Sequence, residues 1–139
     1  MHKVELVLLL LLAPLLLLLG ACAGYTASGT QTSSHQSSSG GDLTVSIGKA
    51  NGTTTEKLET GASSEAILDA NVTLAVGIGS YKIELLGQED EVTLTLEAGE
   101  GETIEGQGWM VTDSFGEASY RVTAVEAGNV TYVIEYTFR

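Results

Sequence analysis

Val130-Thr131-Tyr132-Val133-Ile134-Glu135-Tyr136-Thr137-Phe138 sets Val130, Tyr132, Ile134, Tyr136 and Phe138 on one side of an extended chain, and Thr131, Glu135 and Thr137 on the other. A period of two, with β-branched and aromatic residues on the dry side, marks a strand buried on one face. The same alternation recurs further back, in Tyr120-Val122-Ala124, Val92-Leu94-Leu96, Tyr81-Ile83-Leu85, Val72-Leu74-Val76 and Leu43-Val45-Ile47, each taken at alternate positions. Between these runs fall clusters of turn residues: Gly48 to Gly52, Gly77 to Ser80, Gly87 to Asp90, Gly99 to Gly101, Asp113 to Gly116 and Ala127-Gly128-Asn129. One dry face per strand and no long helical period predict an all-β, antiparallel two-sheet sandwich of about seven strands. Ser63 to Ala70 fits either one helical turn or a short strand. In Glu102 to Thr112, Ile104, Trp109 and Val111 suggest a strand, while Gly106 and Gly108 suggest a bulge or crossover.

The alternation starts at Asp42, and what precedes it is of two kinds. Leu6 to Leu19 is an apolar run broken only by Ala13 and Pro14, behind a single Lys3. Its helical length of about 21 Å falls short of the roughly 30 Å of hydrocarbon a spanning helix crosses, so it reads as the core of an export signal. Leu19-Gly20-Ala21-Cys22 follows. A leucine, two small residues and a cysteine resemble the lipobox of bacterial lipoproteins. That resemblance implies cleavage before Cys22, acyl chains on Cys22, and an extracytoplasmic protein held to the cell membrane, or to the outer membrane if the organism has one. A competing cut before Gly24, at the small-x-small site Ala21-Cys22-Ala23, would release a soluble, cysteine-free chain. From Cys22 to Gly41 nearly every residue is Ser, Thr, Gly, Ala or Gln, a composition that predicts a flexible linker. Three segments result: a signal peptide over 1–21, a lipidated cysteine with linker over 22–41, and one sandwich domain over 42–139.

Charge and composition narrow the function. Loss of residues 1–21 removes one lysine, Lys3, and one glutamate, Glu5, so the net charge of −12 is unchanged. Such a chain repels nucleic acid. Cys22 is the only cysteine and pairs with nothing in its own chain. His35, the only histidine beyond the signal, falls in the linker, so the domain offers neither a nucleophile and base pair nor a zinc ligand set. The expectation is a non-enzyme with no metal and no cofactor. Glu89-Asp90-Glu91 and the group Glu97, Glu100, Glu102 and Glu105 read as solvated loops, without the spacing of an EF-hand. Trp109 is the one candidate ligand platform, for a sugar or a peptide, although a single Trp in a sandwich more often packs in the core or at its rim. Asn51, Asn71 and Asn129 each open an Asn-x-Thr sequon, and Asn51, placed in a loop, is the best candidate for glycosylation.

The second half of the domain resembles a known family. Val92-Thr93-Leu94-Thr95-Leu96, then Thr112-Asp113-Ser114-Phe115-Gly116-Glu117-Ala118-Ser119-Tyr120-Arg121-Val122-Thr123, then Ala127-Gly128 and a final strand, is similar to bacterial immunoglobulin-like domains of the invasin and intimin type. The resemblance implies an immunoglobulin-like β-sandwich. Taken with the anchor motif, the expectation is a binding or structural module at the cell envelope, with a protein or carbohydrate partner. Ala118-x-Tyr120-x-Val122 has the spacing of the tyrosine corner of such domains. The alternative is a secreted carbohydrate-binding accessory domain that uses Trp109.

Overall fold

The computed structural model describes residues 24–139. Cys22 and the signal segment lie outside the described residues. The described residues form seven strands, β1 (Thr26–Ser28), β2 (Gln31–Gln36), β3 (Gly40–Glu59), β4 (Ile67–Leu86), β5 (Val92–Ala98), β6 (Thr103–Val111) and β7 (Glu117–Phe138), with one 3₁₀ turn at Gln88–Asp90. All pairings are antiparallel, and β7 lies between β3 and β4 over its whole length. The antiparallel all-β sandwich of seven strands read from the sequence is the observed fold. Its layers, however, are made differently from separate short strands.

Three of the expected turns lie inside strands. Gly48 to Gly52, Gly77 to Ser80 and Ala127 to Asn129 fall within β3, β4 and β7, and they sit side by side: Ala50 faces Ala127, and Gly128 faces both Lys49 and Ile78. Register slips at Ala50/Gly52 and at Ile78/Ser80 mark the same row. There the backbone turns to positive φ at Gly52 (101°), Gly79 (69°), Glu126 (46°) and Asn129 (50°). Together these form a crease across one continuous sheet. Tyr120 and Tyr132 show how sharply it folds. Twelve residues of straight strand span about 40 Å, yet the two hydroxyls of this one strand meet at 2.9 Å.

The crease divides each long strand between two layers. One layer runs β2, the first half of β3, the second half of β7, the first half of β4, then β6. The other runs the second half of β3, the first half of β7, the second half of β4, then β5. Rows of inward residues follow from the register, for example Val45, Tyr132 and Leu74 in the first layer and Val122, Ile83 and Leu96 in the second, all buried. On β6 the inward positions beside Met110 are Gly106 and Gly108. A Cβ on Gly106 would fall 2.9 Å from a Leu96 methyl, and one on Gly108 would fall 2.7 Å from the Leu94 Cβ. These glycines let β5 close down on β6. They make no bulge, because β6 pairs with β4 in unbroken register from Thr103 to Val111.

The linker expectation is corrected in part. Gln31–Gln36 pairs with Gly41–Ser46 of β3, and Thr26–Ser28 pairs with Lys49–Asn51. All nine side chains of these two strands are exposed, so no apolar alternation announces them; backbone pairing to the free edge of β3 orders them instead. Ile67 to Ala70, ambiguous in sequence, belongs to β4. The connector ahead of it is pinned by two buried threonines: Thr60 Oγ1 donates to the Gly116 carbonyl (2.7 Å), and Thr112 Oγ1 donates to the Ser63 carbonyl (2.8 Å). Tyr120 makes no tyrosine corner, since its hydroxyl partner is Tyr132 and not an upstream backbone group.

Four tyrosines link the layers through the core. Tyr25 and Tyr81 hydroxyls lie 3.1 Å apart, the rings of Tyr81 and Tyr132 stack at 5.9 Å, and Tyr120 closes on Tyr132 edge-on. Burial raises all of their hydroxyl pKa values, that of Tyr120 to about 12 and those of Tyr81 and Tyr132 further still. A phenol whose folded pKa is raised contributes its stabilisation below the unfolded value, about 10, and loses it as pH climbs from there toward the folded value. Phenolate absorbance at moderately alkaline pH should therefore report few tyrosines, and the remainder should ionise only as the fold is lost above about pH 10. Noncooperative titration of all five tyrosines near that pH in a folded chain would contradict this burial. The crease makes a second prediction. A Cβ on Gly79 would stand 2.2 Å from the Glu126 carbonyl oxygen at a positive φ, so Gly79→Ala should cost about 2 kcal/mol or more in urea unfolding.

Candidate outer-face groove

The outer side of the β2-to-β6 layer is polar, and the register arranges it in rows. His35, Asp42, Glu135, Asn71 and Gln107 stand opposite one another across β2, β3, β7, β4 and β6. The next row holds Thr137, Asp69 and Trp109. A groove of about 710 Å³ runs over all of these residues but His35, from Asp42 at one side to Gln107 and Trp109 at the other. At about 4.8 Å per strand, the row from β3 to β6 spans about 14 Å. The groove offers carboxylate acceptors at Asp42, Asp69 and Glu135, amides that both donate and accept at Asn71 and Gln107, and one aromatic side chain at its end.

Two contacts fix its margins. Arg139 donates to Asp69 through Nη2 (2.7 Å) and Nε (3.4 Å), and this guanidinium holds the Asp69 carboxyl below the usual carboxylate range. At the other end, His35 Nδ1 lies 3.2 Å from Asp42 Oδ1. His35 therefore has a fixed place in the row, contrary to its assignment to a flexible linker.

Trp109 serves the fold as well as the groove. It is half-buried. The Cη2–Cζ3 edge of its ring lies over Gly87, where a Cβ would stand 2.6 Å from Cη2. Thr93 Oγ1 accepts from the Trp109 backbone N–H (3.2 Å) and donates to its carbonyl. Thr93 thus clips β5 to β6 and holds the tryptophan at the groove's end. Sequence reading singled out Trp109 but missed its companions. Asp42, Asp69, Asn71, Gln107 and Glu135 stand on polar faces of different strands, and only the register brings them together.

The remaining sequence candidates fall elsewhere. Asn51 sits in β3 at the crease and not in a loop; its Oδ1 accepts from the Glu126 N–H (3.2 Å). Asn71 lies in the groove, and Asn129 lies at the crease with positive φ. The Glu89-Asp90-Glu91 stretch follows β4, with Glu89 and Asp90 at positive φ. Glu102 accepts from the Gly99 N–H (3.0 Å), closing its own turn. On the opposite outer face, Arg121 grips Glu84 with two bonds of 3.0 and 2.9 Å, which lowers the Glu84 pKa.

No family model matches this sequence, and no curated protein matches it. Solved structures show loose likeness of shape. The two xylanase modules of Clostridium thermocellum solved with xylohexaose align at 13% identity over 84% of this chain and 26% of theirs, with a TM-score of 0.44. A subunit of the disulfide-linked pili that form Bacillus endospore appendages aligns at 14% identity over 82% of this chain and 95% of its own, TM-score 0.43. The xylan-binding domain from Paenibacillus barcinonensis aligns at 12% identity over 85% and 86%, TM-score 0.38. These likenesses assign no role to the groove.

Thr93→Val keeps the side-chain shape while removing both hydrogen bonds to Trp109. It should lower stability by about 1–3 kcal/mol and shift tryptophan emission to longer wavelength as the ring gains solvent. Unchanged emission would show that packing on Gly87 alone places the ring.

Proposed function

We propose that the protein is a lipid-anchored, extracytoplasmic binding module whose sandwich holds a hydroxyl-rich ligand, a short neutral oligosaccharide, in the groove over Asp42, Glu135, Asn71 and Gln107. The observation that carries this reading is the joining of a polar row about 14 Å long to a half-exposed indole at Trp109. Sugars present alternating hydroxyls, which paired donors and acceptors of fixed geometry recognise, and flat C–H faces, which stack on an aromatic ring. Three carboxylates in the groove disfavour anionic polysaccharides. Support for the anchor comes from sequence alone, the Leu19-Gly20-Ala21-Cys22 motif behind a short apolar run. Two or more acyl chains would hold the protein stably where one would not. The likeness of the second half to immunoglobulin-like envelope domains is compatible with a binding role at the same place.

Two measurements test the two halves of the proposal. Intact mass of the membrane-bound protein, beside a Cys22→Ser variant, should show cleavage before Cys22 with added acyl mass, and membrane retention should vanish in the variant. A soluble product starting at Gly24 would replace the anchor with simple secretion. Separately, Trp109→Ala should abolish retention in affinity electrophoresis against neutral polysaccharides that retard the parent. Retention that survives in a merely less stable variant would assign Trp109 to packing and remove it from the site.

A further inference from the structure

Among the described residues, the sandwich is open along one side. In the second layer, β3 is an edge strand from Thr53 onward, while in the first layer β2 extends beyond β3. Between these rims lies a cleft of about 280 Å³, separate from the outer-face groove. Tyr25 bounds it near the crease. At the far end, Gln36 Nε2 donates to the Glu59 carbonyl (2.8 Å) and ties the rims together. The floor is Leu43, Val45 and Ile47, with Tyr120 and Tyr132 at the back.

Glu56 is out of place in such a setting. On this half of β3 the even positions face inward, as buried Leu58 shows, so Glu56 turns its carboxylate toward the core. It stands directly opposite Tyr120 in the ladder, where paired Cβ atoms lie about 5 Å apart. None of the ion pairs among the described residues uses it. Lys57, its neighbour, also borders the cleft, but its ammonium is held on the outer face, where it donates to Ser119 Oγ (2.8 Å) and pairs with Asp113 (3.5 Å). After burial, the Glu56 charge is among the causes that raise the pKa of Tyr25, Tyr81, Tyr120 and Tyr132, so it is felt by all four rings. An inward, half-buried carboxylate with no cationic partner, beside several aromatic rings and above an aliphatic floor, is suited to one kind of guest. Rings attract a cation through their π faces, the carboxylate neutralises it, and the floor takes up a short hydrocarbon body.

We propose that this cleft is a second binding site, for a small organic cation with an ammonium group on a short carbon chain. An anion would meet Glu56 with like charge, and a neutral guest would leave the carboxylate uncompensated. The inference does not depend on the outer-face groove or on the lipid anchor.

Choline and its neutral carbon isostere dimethylbutanol provide the test, each titrated into the purified protein and followed by tyrosine ring resonances in NMR. Choline should shift Tyr25, Tyr120 and Tyr132 saturably, and the isostere should bind at least about tenfold more weakly. Glu56→Gln should weaken choline by about tenfold or more while the thermal transition is retained. Trp109→Ala should leave choline binding unchanged. Equal binding of the isostere to the unaltered protein, or the absence of any saturable shift with choline, would overturn the proposal without reference to a variant. Undiminished binding in a folded Glu56→Gln protein would overturn it as well.

Discussion

The crease holds the structure together. Three strands of 20 to 22 residues would each extend about 65–70 Å if straight, with one apolar face far too broad to leave in water. Folding the sheet on itself buries that face against its own other half. Because β3, β7 and β4 are paired in register, all three must bend in the same row, and they do so by two local devices. β3 and β4 use glycine and a register slip, while β7 puts Glu126 and Asn129 into left-handed backbone. The two layers are therefore joined by three continuous strands and not by loops alone.

Such a construction decides where surfaces remain for other molecules. The shared strands close the crease end, and the glycines of β6 let Leu94 and Leu96 seal the side where β5 meets β6. Among the described residues the β3 side has no partner strand in the second layer, and β1 and β2 cover only part of it. Outward residues of the first layer form rows whose chemistry is set by register alone, which is how an amide on β4 comes beside a carboxylate on β7.

Sequence carried the fold far because the alternation is a direct image of burial. Val130 through Phe138 and Tyr81 through Leu85 were legible as half-buried strands, and the turn at Asp113 forms as its residues imply, with Asp113 Oδ1 accepting from the Phe115 and Glu117 N–H groups at 2.8 and 3.1 Å. Composition could not distinguish a turn from a bend, since Gly77-Ile78-Gly79 suits both; only the partner strand shows that the chain continues in the same sheet. Nor could it reveal strands with no dry side, and so Thr26–Ser28 and Gln31–Gln36 read as a linker. The outer groove was largely illegible for a related reason. Its residues are far apart in the chain, and a polar side chain on a wet face has the same appearance whether or not it binds anything. Glu56 was legible in principle, as a charge in phase with Leu58, but the run Thr53-Thr54-Thr55 before it obscures the period.

The ordered N-terminal strands also bear on mechanics. A chain held at its N-terminus and pulled through a ligand on the sandwich would load β1 and β2 first. These strands have three and six paired residues, and none of their side chains is buried. They would peel away, drawing Tyr25 off Tyr81 but leaving the creased sheet folded, and would release residues 24–39 as about 50 Å of slack. Under such a load the segment would act as a reversible fuse, short and close-held at rest and long under tension, in series with a core whose layers cannot separate without straightening all three of their common strands.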